Sequence, residues 1–349
     1  MAERASSNPV LVEVTRGGIT ESLHRGAVAL TDTGGRLILA IGDVETPIFP
    51  RSAIKAMQAL PLVESGAADA FGLGMDELAV ACASHSGGAV HVSAVRSLIG
   101  KAGLDESLLA CGAHWPLSED ATRDLLRSGR TPLPVHNNCS GKHAGMLATA
   151  LHLGFDVGGY EHADHPLQIM IARVISETCG VALEQSPMGV DGCSVPTWAL
   201  PLRTLAQGFA RVGSGNGLAG ERRAAAERLR SACFAAPTLV AGEGRLDTIV
   251  LRGLGPAVFV KGGAEGVHCA AFPARGLGVA VKVDDGTKRG AERVLCELIG
   301  AVVPAAASLL ADRLTGPIRN WRGLPVGEIR ASEELRAAIS GLQGLSQKA

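Results

Sequence analysis

The sequence predicts an α+β fold in which segments from both ends of the chain build one antiparallel sheet, with a helical lobe inserted between them. Two observations carry this reading. Short β-type runs cluster before residue 48 and return after residue 240, and the stretch between them is dominated by apolar residues at helical spacing. The organisation that follows is a single domain over 1–349 with two lobes: 1–48 and 240–349 mainly sheet, 49–239 mainly helix. A cleft between lobes is a usual place for a reactive site.

Taken in order, Val10–Val14, Ala27–Thr31 and Leu37–Ile41 are β-type runs broken by Gly17-Gly18 and by Thr33-Gly34-Gly35, the pattern of an antiparallel meander. From Ser52 to about Ala235 the spacing turns helical. Met75–Cys82, Val90–Ile99, Lys142–Leu153, Leu167–Thr178 and Thr197–Phe209 are the helices expected there, between loops rich in Pro, Asn and Gly. After Gly242-Glu243-Gly244-Arg245 the strand signal returns in Thr248–Leu251, Val258–Lys261, Val267–Ala271 and Gly278–Val283. Thr287–Gly300 and a stretch around Ala305–Leu310 read as helices, and beyond Arg319 the chain is largely polar, with 344–349 read as loose.

Composition narrows the function classes. The 349 residues are 46% hydrophobic, with 45 glycines and only 3% aromatics, which describes a turn-rich, enzyme-like chain that needs no disulfide staples. A net charge of −1 supplies no long-range field to draw nucleic acid or an acidic membrane. No apolar run reaches the ~20 residues that span a bilayer, and Met1 to Pro9 lack the apolar core of a signal peptide. A cytoplasmic protein is expected. In a reducing compartment its eight scattered cysteines are free thiols, and Cys82, Cys111, Cys179, Cys233, Cys269 and Cys296 read as small buried hydrophobes.

Chemistry first shows in Pro50-Arg51-Ser52-Ala53-Ile54-Lys55, where a serine and a lysine three apart share one face of an expected helix. A serine is a poor nucleophile unless a base lies beside it, and a lysine is a base only where burial or positive charge lowers its pKa. The tetrapeptide alone also fits a solvated helix face. Its companions are Ala83-Ser84-His85-Ser86-Gly87-Gly88, a polar break, and Lys261-Gly262-Gly263 after a strand-like run. Serine enzymes that open β-lactams carry the same order: an S-x-x-K helix, an S-x-N-type turn and a K-T-G strand. Two further segments, His136-Asn137-Asn138-Cys139-Ser140-Gly141-Lys142-His143 and Asp191-Gly192-Cys193-Ser194-Val195-Pro196, are densely polar. Helix caps explain part of this, and neither spacing is a four-ligand zinc pattern, so these residues alone favour no metal.

With these strings in place the chain resembles the rhizobial-type L-asparaginases, a family with a serine-β-lactamase/penicillin-binding-protein-like fold. The match runs through Thr15-Arg16-Gly17 with Glu21 and His24, Arg51-Ser52 with Lys55, Cys82-Ala83-Ser84-His85-Ser86, Asn138 to His143 and Asp191-Gly192-Cys193. It continues through Val240 to Arg245, Lys261-Gly262-Gly263-Ala264 and Val281 to Gly286. The resemblance implies two Ser-Lys tandems, Ser52 with Lys55 and Ser84 with Lys261. It also implies a zinc on Cys139, Lys142 and Cys193 that positions substrate, pocket-lining roles for Arg51, His143 and Asp191, and a homodimer. The expected reaction is hydrolysis of L-asparagine to L-aspartate and ammonia through a Ser52 acyl-enzyme, with backbone amides at the start of the Ser52 helix holding the oxyanion. Alternatives are a glutaminase or β-lactam-active hydrolase of the same fold, or a non-catalytic zinc or amino-acid binding protein.

Overall fold

The computed structural model describes residues 8–342. The readings of most of the leading segment and of the loose tail at 344–349 lie outside the described residues. The strands are β1 (Val10–Arg16), β2 (Ile19–Asp32), β3 (Leu37–Ile41), β4 (Pro47–Ile48), β5 (Met188–Val190), β6 (Pro196–Trp198), β7 (Leu200–Pro201), β8 (Phe259–Gly262), β9 (Val267–Phe272), β10 (Leu277–Val283), β11 (Pro317–Arg319) and β12 (Pro325–Ala331). Eight of them form one sheet in the order β11-β12-β1-β2-β10-β9-β8, with β3 joined to β2. The remaining four pair as two small ladders, β4 with β7 and β5 with β6.

The sheet is antiparallel throughout and organised by β2. Its first half pairs with β1 from Ile19 to Arg25, and its second half pairs with β10 from Gly26 to Asp32 while β3 takes the opposite edge. Every residue of β9 is buried. Because successive strand residues point to opposite faces, both faces of the sheet are covered there. The helix Leu202–Ser214 packs on β10, β2 and β9, and the helix Lys288–Val302 packs on β9 and β10. Phe209 of the first stacks on Phe259 at 6.4 Å between ring centroids.

Between β3 and β8 the chain is mainly helical, including Met75–Ala81, Ala89–Lys101, Ser140–His152, Pro166–Cys179 and Gly220–Ala235. Three expectations need correction. Thr248–Leu251 lies inside the helix Leu246–Leu254, because the β-branched Thr248-Ile249-Val250 run reads locally as strand while Leu246, Val250 and Leu251 all turn into the core at helical spacing. Thr197–Phe209 begins as strand in β6 and β7, and its helix starts only after Pro201. The stretch around Ala305–Leu310 is a 3₁₀ turn, Pro304–Ala306, leading to a short helix at Ala311–Thr315. The polar region after Arg319 conceals β12 and a further helix, Glu333–Ser340, whose cap is Ser332 Oγ accepting from the Leu335 amide at 3.1 Å.

Candidate active site

Ser52 sits in a single 3₁₀ turn, Arg51–Ile54, that passes into the helical turn Lys55–Gln58. This is tighter than the helix start expected. The turn opens on Arg51 at φ 52°, a left-handed conformation that costs a non-glycine residue about 1–3 kcal/mol and persists only where the surroundings enforce it. They do so here through an ion pair, Arg51 Nη2 to Asp191 Oδ1 at 2.7 Å, with Arg51 Nε on the same oxygen at 2.8 Å. Among the described residues Ser52 Oγ has no hydrogen-bond partner. The Ala53 amide donates to the Pro50 carbonyl at 3.2 Å, which removes it from the amides expected to hold an oxyanion.

Lys55 is wholly buried, and its Nζ donates to the carbonyls of Ala83 at 2.7 Å and Asn138 at 3.2 Å. One lysine thus ties the Ser52 turn to the loops that carry Ser84 and Cys139. Burial holds its pKa below the ordinary lysine value; Cys139 opposes this and Lys142 adds to it. Ser84, nearly buried, accepts from Asn138 Nδ2 at 3.4 Å, and its carbonyl takes a hydrogen bond from Arg245 at 2.8 Å. Lys261 stands on β8 with 1% exposure, its Nζ donating to the Gly262 carbonyl at 2.8 Å and lying 3.8 Å from Asp247. Burial lowers its pKa to about 8, against the opposing pull of Asp247 and with further lowering by Lys55. Neither serine is hydrogen bonded to its lysine. In each pair the amine is retained by main-chain carbonyls instead.

Cys139, Lys142 and Cys193 converge on one buried point. Lys142 Nζ lies 3.0 Å from Cys193 Sγ, and the two thiols share a hydrogen bond. That bond, with Lys55 and Lys142 close by, pulls the Cys139 thiol well below its ordinary value, while the same bond and burial push Cys193 up. Among the described residues no three His, Cys, Asp or Glu side chains gather as a metal-binding group. His143, wholly buried, hydrogen bonds through Nδ1 to the Tyr160 hydroxyl at 2.6 Å, and its Nε2 is left without a partner. All eight cysteines are free and buried.

The sequence pattern that defines the L-asparaginase II family matches residues 12–331. The chain belongs to the L-asparaginase II family. As a member of that family it is an amidohydrolase. Among solved structures it is similar to a β-lactamase of Mycobacterium bovis, 12% identical over 82% of this chain and 94% of that one, with a TM-score of 0.40. It is also similar to a mutant simvastatin synthase of Aspergillus terreus, 12% identical over 74% and 86% of the two chains, with a TM-score of 0.39. No curated protein matches the sequence.

Sequence reasoning gave no role to Asn138, Arg245, Asp247 or His268 in this family member. Asp247 and His268 carried a usable signal, since each is a polar residue inside an otherwise apolar run, where an unpaired charge is costly. Two glycines of the motifs are explained by close approach. A Cβ on Gly263 would lie 2.7 Å from the Pro50 carbonyl oxygen, so β8 can rest beside the Ser52 turn only without a side chain there. A Cβ on Gly141 would lie 2.1 Å from the Val80 carbonyl oxygen, so the helix bearing Lys142 sits directly on the end of the helix Met75–Ala81. Gly141→Ala is expected to destabilise by about 1–3 kcal/mol, whereas Gly192→Ala, with nothing within 4 Å, stays within about 0.5 kcal/mol. Urea unfolding of both variants checks this; equal midpoints would refute the packing argument.

Proposed function

We propose that the protein hydrolyses the side-chain amide of L-asparagine to L-aspartate and ammonia, with Ser52 as nucleophile and Lys55 as its base. The observation that carries the reading is a wholly buried lysine whose amine donates to two main-chain carbonyls, with no carboxylate hydrogen bonded to it among the described residues, and lies one turn from a serine hydroxyl left without a partner there. An amine in that setting is favoured neutral, which is the form able to take the serine proton. Ser52 attacks the amide carbon, Lys55 receives its proton, ammonia departs, and water resolves the acyl-enzyme. Ser84 and Lys261 pass a proton toward the departing nitrogen.

Arg51 and Asp191 are suited to an α-amino acid because they already form one cation–anion pair. A zwitterionic substrate exchanges that pair for two, carboxylate on Arg51 and ammonium on Asp191. Asp191 is held ionised, its pKa below the ordinary range; burial opposes this and is outweighed by Lys142 and Arg51. His143 is fully buried and hydrogen bonded to Tyr160, which supports a role in shaping the pocket from beneath.

Two sulfurs and one amine nitrogen drawn together, with a buried His143 nitrogen lacking a partner close in sequence, are a donor set suited to zinc. Cys139, Lys142 and Cys193 would hold the ion. When bound it would supply a fixed positive charge that orients a substrate oxygen. Each donor must first lose its proton, and Lys142, whose pKa is raised by the two thiols against the effect of burial, gives one up on binding.

Ammonia release from asparagine, glutamine and a control, run beside a chromogenic β-lactam, tests the substrate; turnover of the β-lactam without asparagine would overturn it. Ser52→Ala is expected to fold and to lose at least about 10³-fold in kcat, near the scale seen when a nucleophile is removed. Lys55→Arg keeps the charge but cannot act as a base, so it is slow at every pH; wild-type rates in that variant would reassign the base. Metal analysis should find about one zinc per chain, lost in Cys139→Ala. Its removal should raise KM more than it lowers kcat, and a metal-free, fully active enzyme would remove zinc from the assignment.

A further inference from the structure

The buried lysines of the two Ser-Lys pairs have different partners. Lys55 Nζ meets two carbonyls, whereas Lys261 Nζ lies 3.8 Å from a carboxylate. That carboxylate, Asp247, is 4% exposed and stands in the first turn of the helix Leu246–Leu254, where the free amides of a helix start favour an anion. It is held from two directions: His268 Nε2 lies 2.7 Å from Oδ1, and the Gly262 amide donates to Oδ2 at 2.9 Å. His268 and Lys261 come from adjacent strands, with His268 opposite Gly262 in the β8–β9 register. A buried carboxylate is expensive unless its lone pairs are filled and a cation is near, and here each condition is met by a residue next to the reacting groups.

We propose that Asp247, fixed by His268 and the Gly262 amide, is the positioning residue that keeps Lys261 an ammonium and so makes it the proton donor to the departing nitrogen. This rests on the Ser52–Lys55 reading above. The groups facing Lys261 are Asp247 and Arg245 from the helix Leu246–Leu254 and its approach, Lys55 from the Ser52 turn, Cys139 from its loop, Cys82, and Cys269 opposite it on β9. Asp247 is the one carboxylate among them. Burial, Lys55 and Arg245 all disfavour the cation, and Asp247, with a smaller contribution from Cys139, opposes them and leaves the Lys261 pKa at about 8, on the side that favours the ammonium at neutral pH.

The protons then balance. The Ser52 O–H bond breaks and its proton goes to Lys55; a Lys261 N–H bond breaks and its proton passes through the Ser84 hydroxyl to the amide nitrogen as the C–N bond cleaves. Ammonia leaves, with Lys55 now ammonium and Lys261 now amine. Return of one proton from Lys55 to Lys261 restores the base that activates water for the second half of the reaction. Two lysines in unlike surroundings thereby divide acid and base work.

The test is an NMR titration of the full chain carrying lysine labelled with ¹³C at Cε, the Lys261 resonance being the one absent from Lys261→Met. Wild-type Lys261 should be cationic at neutral pH and titrate near 8, with kcat/KM falling through the same midpoint on the alkaline side. Asp247→Asn should lower both midpoints by about one unit or more and cut kcat about tenfold or more, with KM little changed. An unchanged Lys261 midpoint in folded Asp247→Asn overturns the proposal. Should that variant not fold, the wild-type titration decides alone, because a Lys261 already neutral at neutral pH overturns it equally. A midpoint that moves as expected in a protein that releases no ammonia keeps the charge assignment and overturns the amide-hydrolysis reading.

Discussion

The site depends on one side chain crossing between three pieces of chain: Lys55, rooted beneath Ser52, whose amine ends on the carbonyls of Ala83 and Asn138. Those carbonyls immediately precede Ser84 and Cys139, so the lysine sets the spacing between Ser52, Ser84 and the cysteine pair at once. Main-chain acceptors suit this task better than a carboxylate would. A carbonyl holds the amine without demanding that it be charged, whereas an anion at that place would fix the ammonium and remove its basicity.

The surroundings follow from the same low-dielectric setting. Arg51, Lys55, Lys142, Arg245 and Lys261 approach one another, and the carboxylates set against them are few: Asp191 beside Arg51 and Asp247 beside Lys261, with the Cys139 and Cys193 sulfurs beside Lys142. Asp191 serves Arg51 and Lys142, and Asp247 serves Lys261, Arg245 and His268, while the Lys55 amine donates to main-chain carbonyls. With little water to screen them, the placement of these few charges governs which groups carry protons.

Much of this was legible in the sequence where chemistry is local. The Ser52–Lys55 spacing, β3 with its boundaries and the helix around Met75 follow from patterns of a few residues. The strand expected at Thr248–Leu251 failed because β-branching is a local preference that burial at helical spacing overrides. β12 was hidden because its residues are half exposed and alternate weakly, and it is a strand by virtue of pairing with β1, which a local window cannot see. At the site, Ser84 and Lys261 were found by their glycine-marked strings. Asp247 and His268 were not, because their meaning lies in a carboxylate and a ring brought together from a helix and a strand. Arg51 and Asp191 were read as separate pocket-lining residues, since no spacing in the sequence announces that they touch.

The seam between β1 and β12 gives this protein a problem of timing. Val10 accepts a hydrogen bond from Ser332, a residue 322 positions later, so β1 has no partner on that edge until β12 has been synthesised. At about 5–20 residues per second of synthesis, that is a wait of roughly 15 to 60 s. During it β1 offers an open ladder of amides and carbonyls flanked by Leu11, Val12 and Val14, which become buried in the finished sheet. The nascent chain therefore carries this open edge until β12 is made, and pairing with β12 is the closure that ends the exposure.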